Sequence, residues 1–184
     1  MIQRPLIRVA LLTAVLAGSP LPPASGCAAS FVDELRVGVL YHDLGVWSGR
    51  SSETGLDFNA ELIFTPSWST LGGTIRPLAG ISINDRGGTS KAYGGAVYEY
   101  EWSNRSFINL GLALAVHDGE TDNEEAAERN QLGSRVLFRV AVETGFTVRN
   151  HHRFSLMFDH VSNGYLADPN EGLDTLGIRY GYRF

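Results

Sequence analysis

The stretch LDTLGIRYGYRF, residues 173–184, alternates apolar residues with polar or small ones. Its even positions are Asp174, Leu176, Ile178, Tyr180, Tyr182 and Phe184, and its odd positions are Leu173, Thr175, Gly177, Arg179, Gly181 and Arg183. Successive side chains of a β-strand point to opposite faces of the sheet. A period of two therefore predicts a strand with one apolar face and one polar face.

Seven further segments show the same period of two. They span roughly 34–43, 55–64, 74–84, 91–102, 107–116, 135–148 and 152–162. With residues 173–184 they predict eight strands of about ten residues, the even number and the length typical of a bacterial membrane barrel. Because no apolar run after residue 30 reaches the roughly 18 residues of a membrane helix, a helical membrane protein is excluded.

Charges of both signs lie on the polar face of these segments, with glycines between them. They are Arg36, Asp57, Glu61, Arg76, Glu99, Glu101, Arg135, Arg139, Glu143, Arg179 and Arg183. Such charges can pair inside a narrow lumen while the apolar face meets lipid. Aromatic residues at strand ends, such as Trp102 and Tyr180, suit the membrane interface.

The last residue, Phe184, ends an alternating strand and resembles the assembly signal of bacterial outer-membrane barrels. The predicted fold is therefore all-β, an eight-stranded antiparallel transmembrane β-barrel of the bacterial outer membrane. A soluble lipocalin-like barrel, with its apolar face inward, is the alternative, and dependence on detergent would separate the two.

Composition excludes several other classes of protein. The chain has 184 residues, a net charge of −5 and one cysteine, Cys27. An acidic chain lacks the basic face that a nucleic-acid binder needs. One cysteine allows neither an internal disulfide nor a four-cysteine zinc site.

Residues 1–29 predict a secretory signal peptide. Two arginines precede the apolar run VALLTAVLA, and small residues follow it. We expect cleavage after Ala28 or Ala29, which leaves residues 30–184 as a single barrel domain. Lipidation of Cys27 is the alternative.

The predicted strand order places both chain ends in the periplasm. The connections at 44–54, 85–90, 117–133 and 163–173 are then external, and those at 65–73, 103–106 and 149–151 are periplasmic; the external set is the longer one, as expected. The 117–133 connection is acidic and predicts a solvated loop, with divalent-cation bridging to lipopolysaccharide as the weaker interpretation. Histidines at 42, 117, 151 and 152 form no recognisable motif.

Three polar residues gather on the apolar face in the last hairpin, FDHVSNGYLADPNEGLD, residues 158–174. His160 and Ser162 are two apart and share one face, and Asp174 begins the apolar face of the partner strand. A polar cluster that faces lipid is costly. Serine, histidine and a carboxylate are the parts of an acyl-transfer triad, in which His160 would take the proton of Ser162 and Asp174 would orient His160.

The same segment resembles the lipid A 3-O-deacylase family, the PagL-type acyloxyacyl hydrolases. The resemblance rests on His160-Val161-Ser162-Asn163, on the Pro-Asn-x-Gly stretch at 169–172, and on an acid fourteen residues after the histidine. The best-known pattern has glutamate at that acid position, whereas this chain has Asp174. The shorter arm bears directly on the hydrogen bond to the histidine.

The resemblance implies an outer-membrane esterase that removes the 3-hydroxyacyl chain at the 3-position of lipid A. It implies Ser162, His160 and Asp174 as catalytic residues, and Asn170 and the backbone near Gly164 at the oxyanion hole. We expect Asn163 to shape the turn. No metal and no cofactor are needed.

The expected partners are lipopolysaccharide as substrate, outer-membrane lipid and a second copy in a homodimer, with no nucleic acid. Arg86 is a candidate for binding lipid A phosphate. Two alternative functions stay open: a non-catalytic barrel, structural or adhesive, and another serine-dependent acyltransferase or phospholipase. A structural barrel has no reason to carry the polar cluster, and the identity of the product separates the enzymes.

Overall fold

The computed structural model describes residues 31–49, 51–122 and 129–184. The predicted signal peptide and Cys27 lie outside these residues, as does part of the acidic 117–133 connection. Within the described ranges, no helix is long and apolar enough to cross a membrane.

The described residues form nine strands. These are β1 (Val32–Tyr41), β2 (Leu56–Phe64), β3 (Trp68–Thr70), β4 (Gly73–Asn84), β5 (Lys91–Glu101), β6 (Ser106–His117), β7 (Val136–Val148), β8 (His152–Ser162) and β9 (Leu173–Arg183). All neighbours are antiparallel, in the order β2-β1-β9-β8-β7-β6-β5-β4, and a β2–β4 pairing closes the ring. The predicted eight-stranded antiparallel barrel is confirmed, with β3 as an addition.

The short strand β3 lies in the 65–73 connection, which the sequence predicts as a plain turn. Trp68 to Thr70 pair with the first residues of β4. Leu71 and Gly72 join the two strands with φ values of 49° and 79°. Two successive positive φ values are what a tight two-residue hairpin turn requires, so the connection folds back as a hairpin of its own.

The polar face of the strands lines the lumen, and oppositely charged side chains pair there. Arg36 contacts Glu34 at 2.8 Å, Glu99 at 2.7 Å and Glu143 at 3.2 Å. Arg179 contacts Glu61 at 2.6 Å. The lumen is therefore a packed ionic core, as predicted for a narrow barrel.

In the described part of the chain, four charged residues of the lumen are missing from the predicted set: Glu34, Lys91, Arg153 and Asp159. Arg139 pairs with Asp159, which also contacts Lys91 at 2.5 Å, and Arg153 contacts Glu34 at 2.7 Å. The prediction for Arg135 is wrong. It precedes β7 and is exposed, because the strand begins one residue later.

The outer wall of the barrel is apolar. Leu112, Phe58 and Ile178 are 65%, 57% and 69% exposed, respectively. Such a continuous apolar surface suits a lipid environment rather than water.

The two ends of the barrel differ. One end, here called the loop end, carries the connections 42–55, 85–90, 118–135 and 163–172. The other, here called the terminal end, carries the short turns and both ends of the described chain, where Phe184 N donates to Asp33 O at 2.9 Å. All six predicted site residues lie at the loop end.

Candidate active site

A hydrogen-bonded chain of three side chains lies on the outer face of β8 and β9. His160 is the register partner of Asp174 across the two strands. The distance from His160 Nδ1 to Asp174 Oδ1 is 2.6 Å, and that from His160 Nε2 to Ser162 Oγ is 3.0 Å. The structure thus brings together the three residues that the alternation placed on one face.

The order of atoms in this chain decides its chemistry. A carboxylate only accepts, so Nδ1 of a neutral His160 carries the hydrogen and donates it to Asp174. Nε2 is then a free acceptor for the hydroxyl of Ser162. This arrangement lets the histidine take a proton from the serine while the carboxylate stabilises the resulting imidazolium.

Asp174 and His160 are shielded although they face outward. Asp174 is fully buried and His160 is 7% exposed. The cover is the 42–55 loop, whose Trp47 ring stacks on the imidazole with centroids 4.5 Å apart and planes 17° apart. The sequence alone suggests a polar cluster exposed to lipid, but in the structure the loop covers His160 and Asp174.

The 42–55 loop also bonds the second oxygen of the acid. Asp174 Oδ2 accepts from Trp47 N at 2.6 Å, from Ser48 N at 3.0 Å and from Ser48 Oγ at 3.2 Å. Sequence reasoning missed Trp47 and Ser48. No local pattern relates them to a residue more than a hundred positions away, so the chain carried no signal for them.

Asn163 organises the 163–172 loop from inside. It is 2% exposed. Its Nδ2 lies 3.0 Å from Leu132 O, 3.0 Å from Ala167 O and 2.8 Å from Pro169 O. The side chain thus bonds the 163–172 loop to Leu132 of the neighbouring loop, and the expected shaping role of Asn163 stays a prediction.

The two predicted oxyanion-hole residues, Gly164 and Asn170, follow Ser162 by two and eight residues in the 163–172 loop. Asn170 Oδ1 accepts from Asn163 N at 3.0 Å, so the opposite end of the same amide, Nδ2, carries the donors. Gly164 follows Ser162 by two residues and turns the chain with a φ of 65°. A surface hollow of about 510 Å³ opens beside Asn170, lined by Tyr165, Leu166, Ala167 and Asp168.

A second polar group, here called the His42 cluster, consists of His42, Glu53 and Asp57 at the loop end. His42 Nε2 lies 2.7 Å from Glu53 and Nδ1 lies 2.7 Å from Asp57. Burial opposes the charged imidazole, but the hydrogen bonds and charges of both carboxylates outweigh it and raise the pKa of His42 to about 9. The sequence analysis gave His42 no role, because its partners lie on other segments.

Glu53 connects three loops. Its carboxylate accepts from Thr89 Oγ1 at 2.8 Å and from Asn130 N at 3.0 Å, in the second and third loops of the loop end. Burial acts to raise the pKa of Glu53, but His42 and these donors lower it to about 2. Among the described residues, no group of three or more His, Cys, Asp or Glu could hold a metal ion.

A family model described as lipid A 3-O-deacylase (PagL) matches residues 36–183, which include the whole hydrogen-bonded chain. Lipid A deacylase PagL of Bordetella bronchiseptica (strain ATCC BAA-588 / NCTC 13252 / RB50) is 26% identical over 91 residues. That alignment covers 48% of this chain and 48% of the relative, so it spans about half the length of each.

Two solved structures share the fold. The crystal structure of the outer membrane enzyme PagL matches with a TM-score of 0.63 and 20% identity, over 82% of this chain and 99% of that one. Neisserial surface protein A matches with a TM-score of 0.50 and 10% identity, over 82% and 96%. The barrel is thus of a kind found in outer-membrane proteins, and the family match over residues 36–183 shows that the chain belongs to the lipid A 3-O-deacylase (PagL) family.

Proposed function

We propose that this protein is an outer-membrane esterase that hydrolyses the ester-linked 3-hydroxyacyl chain at the 3-position of lipid A. The observation that carries the proposal is the chain from Asp174 through His160 to Ser162 on the outer wall of the barrel. Membership of the lipid A 3-O-deacylase family supports the choice of lipid A as the substrate.

The reaction begins when His160 Nε2 takes the proton of Ser162 and Ser162 Oγ attacks the ester carbonyl. The tetrahedral oxyanion accepts hydrogen bonds from Asn170 Nδ2 and from a backbone N–H near Gly164. Oxyanion donors of this kind stabilise the transition state by roughly 3–4 kcal/mol each. His160 then gives its proton to the leaving sugar oxygen, and the acyl chain stays on Ser162.

The second half of the reaction releases the fatty acid. A water molecule loses a proton to His160 and attacks the acyl-serine carbonyl. Collapse of the second oxyanion breaks the bond to Ser162 Oγ, which takes the proton back from His160. The products are a free 3-hydroxy fatty acid and lipid A with one acyl chain fewer. No metal or cofactor takes part in this scheme.

The depth of the site suits this substrate. The loop end faces the exterior in the predicted topology, so Ser162 lies at the level of the outer leaflet, where lipid A carries its esters. Below the site, outward-facing Leu156 and Ile178 are 49% and 69% exposed and offer an apolar wall to acyl chains. The substrate therefore arrives sideways from the membrane rather than through the lumen, which is filled by charged side chains.

The aspartate in place of the family's usual glutamate is compatible with this mechanism. Its register position directly opposite His160 places Oδ1 at 2.6 Å from Nδ1 without the extra methylene. The roles of Arg86 in phosphate binding and of a homodimer stay predictions. Arg86 lies in the exposed turn between β4 and β5 at the loop end.

The test is a mass spectrum of lipid A after incubation with protein refolded in detergent. Ser162→Ala is compared with wild type, and Ser103→Ala, in an exposed turn at the terminal end, is the matched control. We expect wild type and Ser103→Ala to remove one 3-hydroxyacyl chain and Ser162→Ala to remove none.

Each other outcome is informative. Equal loss with Ser162→Ala would keep the activity and discard Ser162 as nucleophile. No loss with a folded wild-type barrel would favour a non-catalytic barrel or another ester substrate. Release of phospholipid acyl chains, or their transfer to lipid A, would identify a phospholipase or an acyltransferase.

A further inference from the structure

We propose that the 42–55 loop is a positioning element of the catalytic site, in which Trp47 orients His160 and the backbone of Trp47 and Ser48 orients Asp174. This inference rests on the proposed function, since it concerns the same triad. It adds two residues from the opposite end of the chain to a site that otherwise comes from a single hairpin.

The two oxygens of Asp174 have separate partners. Oδ1 meets His160, and Oδ2 accepts from both backbone N–H groups and from the Ser48 hydroxyl. The loop is bonded to the same residue a second time, because Leu44 N donates to Asp174 O at 3.0 Å. A carboxylate bonded at both oxygens cannot rotate away from the imidazole. The loop therefore holds the side chain of Asp174 in the orientation that the hydrogen bond to His160 requires.

The Trp47 ring fixes the plane of the imidazole. The two rings are nearly parallel and 4.5 Å apart, so rotation of the His160 ring about its Cβ–Cγ bond would break the stack. That restraint keeps Nε2 directed at Ser162 Oγ. An aromatic face also attracts a cation, so it favours the imidazolium that forms when His160 takes the proton.

The loop is itself fixed in place. Asp43 Oδ2 accepts from Ser52 N at 2.6 Å and from Glu53 N at 2.8 Å, which closes the loop at its base. Gly49 N donates to Gly45 O at 3.1 Å within the tip. Glu53 joins the base to Thr89 and Asn130. A loop bonded in this way can transmit a defined geometry to the residues it covers.

The first experiment measures the kinetics of Trp47→Ala and Trp47→Phe, with Val46→Ala as the matched control from the same loop. Val46 is 71% exposed. A misplaced catalytic group costs up to about a hundredfold in rate. We expect Trp47→Ala to lower kcat roughly ten- to a hundredfold with KM within about twofold, Trp47→Phe to restore most of kcat, and Val46→Ala to match wild type.

Two results would overturn the inference. One is an unchanged kcat in Trp47→Ala. The other is a loss confined to KM, which would make Trp47 a substrate contact rather than a positioning residue. Every variant is refolded, and formation of the barrel is checked by its mobility on a gel. A folding defect is therefore distinguished from a loss of activity.

The second experiment does not depend on deacylation. The chain has three tryptophans, so the double change Trp68→Phe with Trp102→Phe leaves Trp47 as the only one. An indole stacked on another ring is shielded from solvent on that face, and we expect His160→Ala to increase the quenching of Trp47 fluorescence by acrylamide. Unchanged quenching in His160→Ala would overturn the stacking, whereas increased quenching in a protein without deacylase activity would refute the proposed function alone.

Discussion

The lumen and the outer-wall cluster of His160, Ser162 and Asp174 both contain buried polar groups, but their side chains are arranged differently. In the lumen, charged side chains pair in several directions, as Arg36 does with Glu34, Glu61, Glu99 and Glu143. On the outer wall the polar groups form a directed chain that ends at the hydroxyl of Ser162, which is partly exposed. Ion pairs that point in several directions suit a structural role, whereas a chain with a hydroxyl at its open end suits a chemical one.

The largest effect should follow from changing the acid of the outer chain. Asp174→Asn removes the charge that balances the imidazolium and disturbs the histidine tautomer, and comparable changes lower kcat by about 10⁴-fold. We expect that loss in the initial rate of fatty-acid release, with the barrel intact. Asp118→Asn, an acid that is 65% exposed in the 118–135 connection, is the matched control and should retain the wild-type rate. A loss below tenfold in Asp174→Asn would contradict its assignment.

A single change in the lumen should affect stability rather than catalysis. Glu61 contacts Arg179 at 2.6 Å, Arg36 at 3.3 Å and Arg139 at 3.7 Å. Glu61→Gln removes the negative charge that pairs with these buried arginines. Loss of one partner of a buried ion pair lowers the free energy of unfolding by about 3–5 kcal/mol. Urea unfolding in detergent measures it, and kcat per folded molecule should hold.

The control for that change is Glu101→Gln. Glu101 is 35% exposed and contacts Arg183 at 3.6 Å. A solvent-accessible pair of this kind contributes at most about 1 kcal/mol. Equal losses of unfolding free energy in Glu61→Gln and Glu101→Gln would show that ion pairs in the lumen and at its rim contribute alike.

Asn170→Ala tests the proposed oxyanion donor of the outer-wall site. Loss of one oxyanion donor lowers kcat by about 10²–10³-fold, and KM should stay close to wild type. Asn104→Ala, in an exposed turn at the terminal end, is the matched control. A change in KM alone would move Asn170 from the oxyanion hole to ground-state binding.

The last prediction concerns pH and the His42 cluster, where both ring nitrogens of His42 have a carboxylate partner. The pKa of His42 is raised from 6.5 to about 9, so its stabilising effect is fully present below pH 6.5 and is lost as pH rises through about 9. The shift corresponds to about 3 kcal/mol at most. Wild-type stability should fall between pH 6.5 and 9 relative to His42→Gln, measured by urea unfolding. Parallel pH curves for the two proteins would refute this.

Much of the fold was predictable because strand alternation is a local property. The period of two in residues 173–184 assigned inward Arg179 and outward Ile178 correctly, and the hairpin topology placed Asp174 beside His160. Register and face both follow from spacing along the chain, so no long-range information was needed.

What was not predictable depends on contacts between distant segments. Trp47 reaches Asp174 only because β1 and β9 are neighbours in the closed ring, and nothing in the 42–55 loop indicates that partner. The pairing of His42 with Glu53 and Asp57 is of the same kind. The hairpin at β3 was missed for a different reason, since Leu71 adopts a positive φ that its residue type does not suggest.

The β1–β9 pairing that closes the barrel also has a consequence in time. The hairpin that carries His160, Ser162 and Asp174 belongs to the last quarter of the chain. The loop that bonds Asp174 belongs to the first third, so the two meet only when the ring closes. An open, half-assembled barrel would have the serine and histidine without the restrained geometry. If the 42–55 loop positions Asp174 as proposed, closure of the ring is also the step that completes the site, and we expect deacylation only from fully assembled barrels.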